Sequence, residues 1–344
     1  MTEIQPSHMK REVREIPDAV ARLLENGADG MARAADALRT LDPPFLATVA
    51  RGSSDHAATY VKYAAEIMAG LPVASVGPSV TSIYGARLRV KGAACLAISQ
   101  SGASPDIVQM VTMMREEGAL TLGLTNHLDS RLAQVSDHAL ALHAGPELSV
   151  AATKTFVTSA VAGVWLVAEL LRDAPLLAAL HALPDALAQA VDADWSPLGD
   201  ALGEAESLYC LGRGPCYAAS NEAALKFKET CQLHAESYSS AEVLHGPVSI
   251  VGRGFPVIAL AVRDAAQKGL VEVAEKLAGM GAQVFTTSSA AQDAVALPAV
   301  RTGHPLTDPL ALIVSFYAMV EQVARARGVD PDNPRHLRKV TETV

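Results

Sequence analysis

The chain has 344 residues, half of them hydrophobic and only 4% aromatic, with 28 basic against 37 acidic side chains and a formal net charge of −9. That length favours two domains over one core, and the acidic balance, with no run of Lys and Arg interleaved with aromatics, argues against nucleic acid as a partner. Membrane insertion is not expected either, because the longest apolar run, Ala160 to Leu171, is short and interrupted by Glu169, and Met1-Thr2-Glu3-Ile4 carries no basic region leading into an apolar stretch.

In chain order, residues 1–44 read as a helical lead-in. A first strand-loop-helix unit follows at Phe45–Ser54, with a helical pattern from Ala57 to Ala69, a strand at Cys95–Ser99, a helix over Pro105–Glu117 and a strand at Leu120–Thr125. Ala178 to Asp200 reads as a helical linker that becomes turn-like around Trp195-Ser196-Pro197, with the boundary near residue 186. The second half repeats the first. One register lays Gly52 on Gly214, Cys95–Ser99 on Val257–Ala261, and Leu120–Thr125 on Ala282–Thr287, with helices over Ala218–Leu233 and Ala265–Gly279 between the strands. Alternating strands and helices, rich in Ala, Leu and Val, predict an α/β chain of two tandem doubly wound parallel sheets. The expected division is 45–186 and 187–330, with a C-terminal tail at 331–344. Four cysteines, Cys95, Cys210, Cys216 and Cys231, show no metal-ligand spacing and read as reduced core thiols of a cytoplasmic protein.

Two stretches carry candidate chemistry. Ser99-Gln100-Ser101-Gly102-Ala103-Ser104-Pro105 stands between a strand and a helix start, where free backbone N–H groups, the helix dipole and serine hydroxyls favour an anion. Ser53 and Ser54, after the neighbouring strand, would add hydroxyls at the same sheet edge. The plainer alternative makes Ser104 an N-cap in a polar connection. The second stretch is a largely apolar helix carrying Glu222, Lys226 and Glu229, spaced to share one face. Such spacing also describes a solvated, salt-bridged surface, but this helix is apolar over much of its circumference. His245-Gly246-Pro247 follows, and the tail holds Lys339.

Ser99-Gln-Ser-Gly, Glu222-x3-Lys226-x2-Glu229, His245-Gly-Pro and Asn333-Pro-Arg-His-Leu-Arg-Lys339-Val-Thr341 together resemble the double sugar-isomerase (SIS) module of the glutamine:fructose-6-phosphate amidotransferase family. Val150-Ala-Ala-Thr-Lys154-Thr-Phe156 and the lead-in His8–Val13 with Pro17 are similar to that module as well. The resemblance implies flavodoxin-like SIS domains, a sugar phosphate held by Ser99, Gln100, Ser101 and Ser104, sugar contacts from Ser53, Ser54 and Val150, and no cofactor or metal. It further implies that His245 assists ring opening, that Glu229 moves a proton between carbons 1 and 2, that Lys339 handles the carbonyl, and that Glu222 and Lys226 tune Glu229. A homodimer, with His245 contributed across the interface, is implied too.

The departures bear on substrate. Position 2 is Thr where the family's glutaminase domain exposes a cysteine, Ala103-Ser104 replaces a Glu-Thr pair, and Ala152 replaces a serine. An isomerase module without its ammonia supply is expected to run toward breakdown, from glucosamine 6-phosphate to fructose 6-phosphate and ammonia. Galactosamine 6-phosphate deamination, fructosamine 6-phosphate deglycation, an ammonia-dependent aminotransferase-type isomerase, plain aldose–ketose isomerisation and a silent sugar-phosphate sensor are the alternatives.

Overall fold

A computed structural model of the chain describes residues 6–339. They form two compact units. One comprises residues 18–147 and 154–181; the other takes in the described residues up to Pro17, together with 148–153 and 182–339. The lead-in is therefore shared. Its first helix, His8–Arg14, belongs with the C-terminal unit, packing on the helices Leu183–Val191 and Asp308–Ala326, whereas Ala28–Leu41 belongs with the first.

The first unit is built on β1 (Leu46–Val49), β2 (Val73–Ser75), β3 (Ala94–Ile98), β4 (Leu120–Thr125) and β5 (His138–Ala141), in spatial order β2-β1-β3-β4-β5. All four pairings are parallel, with Leu46 opposite both Val73 and Ala94. β1 and β3 are buried along their whole length, as a parallel sheet covered on both faces requires. The second unit holds β6 (Ser207–Gly212), β7 (His234–Ser239), β8 (Pro256–Ala259), β9 (Gln283–Thr286) and β10 (Val295–Ala296), in the order β10-β9-β8-β6-β7, again parallel. Read from β7, this is the same winding as the first sheet. Doubly wound sheets of this order bind ligands where the strand order reverses, between β1 and β3 or β6 and β8.

The duplication extends to backbone angles. Gly52 (φ 56°, ψ −133°) and Gly214 (φ 58°, ψ −136°) adopt one conformation, closed to other residues, and each turns its strand directly into a helix of 17 residues, Ser53–Ala69 or Pro215–Cys231. The sharpness of that turn moves Ser53 and Ser54 out of the loop expected from sequence and makes them the first two residues of the helix. In the first unit Lys154–Leu171 packs on Ser53–Ala69, with Gly163 admitting Val61 where any Cβ would overlap it. This helix is long and apolar enough to cross a membrane, but 83% of it is buried inside the fold, so its hydrophobicity is that of a core helix. In the second unit Pro215–Cys231 packs on Asp308–Ala326, where Phe227 meets Phe316 edge-on at 5.1 Å.

Candidate active site

Within the first unit, the serine loop leaves the buried end of β3 and enters the helix Pro105–Glu116. Gly102 holds the turn at φ 60°, and a Cβ there would overlap Ser130 and stand 2.8 Å from Thr125 Oγ1, so both conformation and space require glycine. The loop is braced from outside: the Gln100 carbonyl accepts from Asn126 N at 3.0 Å, and the Gly102 carbonyl from Leu132 N at 3.0 Å. Ser99 Oγ accepts from Gly102 N, and Ser101 Oγ from Ala103 N. Both serines serve the loop as acceptors only, which leaves their hydroxyl protons uncommitted among the described residues. Ser104 occupies the N-cap position, yet its side chain makes no capping bond. The plain N-cap reading therefore does not account for Ser104. Three uncommitted hydroxyl donors at a twelve-residue helix's N-terminus, beside Ser53 and Ser54 at the end of the paired strand β1, form a donor set suited to a phosphate.

One charged pair at this edge was not foreseen. Arg51, at the end of β1, donates to Asp106 Oδ2 from Nε at 2.7 Å and lies 2.5 Å from it through Nη2. Asp106, in the first turn of the loop's helix, is 1% exposed. The expected pocket of neutral donors thus carries a carboxylate neutralised by a guanidinium.

In the second unit, Glu222, Lys226 and Glu229 lie on one face of Pro215–Cys231, as their spacing predicts. Lys226 Nζ is 2.6 Å from Glu229 Oε2 and 3.2 Å from Glu222 Oε1, and Glu222 Oε1 also accepts from Tyr317 Oη at 2.8 Å. The side chains of Glu222 and Lys226 are wholly buried and that of Glu229 is 21% exposed. Of the three charges only Glu229 reaches solvent, because packing encloses the other two. Burial alone would lower the Lys226 pKa, but the two carboxylates outweigh it and hold the ammonium well above its ordinary range. Glu229 is thereby bonded to an ammonium that stays charged at neutral pH.

Lys339 and Val150 belong to the same unit. Lys339 Nζ donates to the Ser149 carbonyl at 2.7 Å, next to Val150. Ser149 N and Leu148 N both donate to the carboxylate of Glu12, which is 4% exposed. His245 stands apart, on an exposed loop between two short 3-10 turns, before Gly246 at φ 137°. Within the described residues its ring makes no hydrogen bond to the chain, and so none to Glu229.

Residues 45–169 and 201–325 each match the family model of the SIS domain. The chain belongs to the SIS-domain family. A glutamine–fructose-6-phosphate aminotransferase (isomerizing) of Sulfurisphaera tokodaii is 31% identical over 352 residues, covering 98% of this chain and 57% of the relative; the chain spans little more than half the length of the curated relatives it matches. A Silicibacter pomeroyi protein provisionally described as a phosphosugar isomerase is 60% identical, with a TM-score of 0.92 over 95% of this chain and all of its own. The glucosamine-6-phosphate deaminase of Thermotoga maritima shares the fold at a TM-score of 0.79 and 20% identity, over 98% of this chain and 100% of its own.

The two SIS domains carry different side chains at the positions their repeat makes equivalent. At the second domain's counterpart of the serine loop, the positions of Ser99, Ser101 and Ser104 hold Ala261, Arg263 and Ala266, and Asp264 replaces Gly102. Burial pushes the Asp264 carboxyl up, and its side chain caps Ala266 N at 2.9 Å. That loop is closed on itself and offers an anion no row of hydroxyls. Conversely, the first domain places Tyr60, Ala64 and Ile67 where the second has Glu222, Lys226 and Glu229. Among described residues no group of three or more His, Cys, Asp and Glu side chains has the arrangement of a metal site.

Sequence reading missed Arg51, Tyr317 and Glu12. Arg51 had a signal, because the repeat places Arg213 at the equivalent position. Tyr317 and Glu12 had none, since each acts on a residue far along the chain.

Proposed function

We propose that this SIS protein is a cytoplasmic amino-sugar phosphate deaminase that converts glucosamine 6-phosphate and water to fructose 6-phosphate and ammonia. The observation that carries this reading is the Glu222–Lys226–Glu229 network, in which a buried ammonium fixes the one carboxylate that reaches solvent. Support comes also from relatives named for amino transfer to fructose 6-phosphate and from a neighbour of the same fold named as a glucosamine-6-phosphate deaminase.

In this account the serine loop holds the phosphate through Ser99, Gln100, Ser101 and Ser104, with Ser53, Ser54 and Val150 near the sugar. His245, supplied by the second subunit of a homodimer, assists ring opening to the aldehyde. Glu229 then takes the proton from carbon 2, giving an enaminol, and returns it to carbon 1. The product is a ketimine at carbon 2, which water hydrolyses to the ketose and ammonia. Lys339 serves the carbonyl end of this sequence. No step needs an electron acceptor.

A second reading, plain aldose–ketose isomerisation, is favoured by the 60% identical protein described as a phosphosugar isomerase, and would use the same proton shuttle. The experiment is to incubate the protein separately with glucosamine 6-phosphate, galactosamine 6-phosphate and glucose 6-phosphate, following ammonia and ketose together. Ammonia and ketose in equal amounts from an amino sugar support the deaminase. Ketose from glucose 6-phosphate, with no ammonia from either amino sugar, replaces it with the isomerase.

A further inference from the structure

We infer that Glu12 is a positioning residue for Lys339, acting through the backbone of Ser149. The inference deepens the proposed function, since the importance of Lys339 rests on that reading.

Glu12 lies on the first helix, His8–Arg14, and its carboxylate is almost wholly removed from solvent. A carboxylate is costly to bury unless hydrogen bonds compensate it. Here the compensation is specific: the amides of Leu148 and Ser149 both point at it, the Leu148 contact being the shorter, with Ser149 N at 3.3 Å from each oxygen. Successive backbone N–H groups converging on one anion make a charge-assisted anchor, stronger than a neutral turn bond. On the other side of the same residue, the Ser149 carbonyl receives Lys339 Nζ at 2.7 Å. Ser149 is therefore held by its N–H on a buried anion and by its C=O on a cation.

Its own side chain adds no tether, because Ser149 Oγ is buried without a hydrogen-bond partner among the described residues. The position of the Ser149 carbonyl thus depends on Glu12, and the Lys339 amine follows the carbonyl. Val150, the next residue, is set by the same anchor. An electroneutral segment here would leave residues 148–150 to local turn preferences, and the amine with them. A displacement of about 1 Å at a reacting group is enough to cost about 10²-fold in rate.

The test uses the whole protein and a readout independent of turnover. Lys339 is labelled with trinitrobenzenesulfonate and its modification rate read by mass spectrometry in wild type, Glu12→Gln and Glu12→Ala, with Lys268 as the internal reference. Glu12→Gln keeps the volume but turns an amide donor toward a backbone N–H. The expected result is a severalfold change in Lys339 labelling in both variants with Lys268 unchanged. In the ammonia assay Glu12→Gln is expected to lower kcat by about 10²-fold with KM little moved, and Glu12→Asp to recover part of it. Unchanged Lys339 labelling in a folded Glu12→Gln protein overturns the inference. So does rapid hydrogen exchange at the Leu148 and Ser149 amides of the wild-type protein, a measurement that needs no variant to fold. Labelling and exchange stand even if no ammonia is ever released, so failure of the deaminase reading is separate from failure of this one.

Discussion

Lys226 stands 2.6 Å from Glu229 and is wholly enclosed, so the one carboxylate of the network that reaches solvent is bonded to an ammonium that cannot. The energetic weight and the chemical role consequently fall on different residues. Lys226→Met removes the ammonium beside the buried Glu222, which also accepts from Tyr317, and is expected to destabilise the protein by about 3–5 kcal/mol in urea unfolding. Glu229→Gln keeps an acceptor for Lys226 and is expected to unfold close to wild type. A Lys226→Met protein as stable as wild type would remove the buried ammonium from the account.

The same network fixes a pH dependence. Because the folded pKa of Lys226 is raised, its contribution to stability is fully present below the ordinary lysine range and declines only as pH rises through that range toward the folded value. Unfolding free energies from neutral pH into strong alkali are therefore expected to lose a component in wild type that Lys226→Met never had. Loss of that component on going down from neutral pH would contradict the assignment.

At the other domain's switch point, Arg51→Gln strips a buried Asp106 of its cation. Arg51 is 44% exposed, so the loss is expected to be smaller than for Lys226, about 1–3 kcal/mol. A carboxylate at the helix start without the guanidinium beside it should also weaken anion binding, read as a smaller thermal shift with fructose 6-phosphate than wild type shows. An undiminished shift would place the phosphate elsewhere.

Glycine substitutions separate conformation from space. Gly52→Ala meets nothing within 4 Å and costs only backbone strain, on the order of 1–3 kcal/mol. Gly102→Ala adds an overlap with Ser130 to its own positive φ and distorts the serine loop, so it should be the more destabilising of the two and should abolish the thermal shift by sugar phosphate. Equal effects in chemical denaturation would contradict the packing argument.

All four thiols are buried, and burial pushes Cys95 up to about 12 and Cys231 up to about 11. Thiolate at neutral pH is correspondingly scarce. A thiol reagent is expected to modify none of the four in native protein and all four after denaturation. Fast native labelling of any one would show local opening around it.

The fold was legible because its signals are local and repeated. The strand-Gly turn-helix pattern occurs at Gly52 and again at Gly214, and both glycines adopt the backbone conformation that only glycine tolerates, so a register found in letters survives in angles. The charged face of Pro215–Cys231 was equally legible, since helical spacing alone brings Glu222, Lys226 and Glu229 together. Spacing could not say which of them is buried; that is settled by the helix Asp308–Ala326, whose Phe316 and Tyr317 meet Phe227 and Glu222. The links from Glu12 to Ser149 and from Ser149 to Lys339 join residues 137 and 190 positions apart, and no periodicity reports such pairs. His245 lies on an exposed loop, and among the described residues its ring makes no hydrogen bond to Glu229.

The most direct test compares wild type with Glu229→Gln in ammonia release from glucosamine 6-phosphate, both proteins shown folded by their melting curves. The account predicts ammonia and fructose 6-phosphate in equal amounts from wild type and a loss of about 10²–10⁴-fold in the variant. Ammonia release that persists undiminished in Glu229→Gln would contradict it, because the only open carboxylate of the buried network would then have no part in the proton transfer.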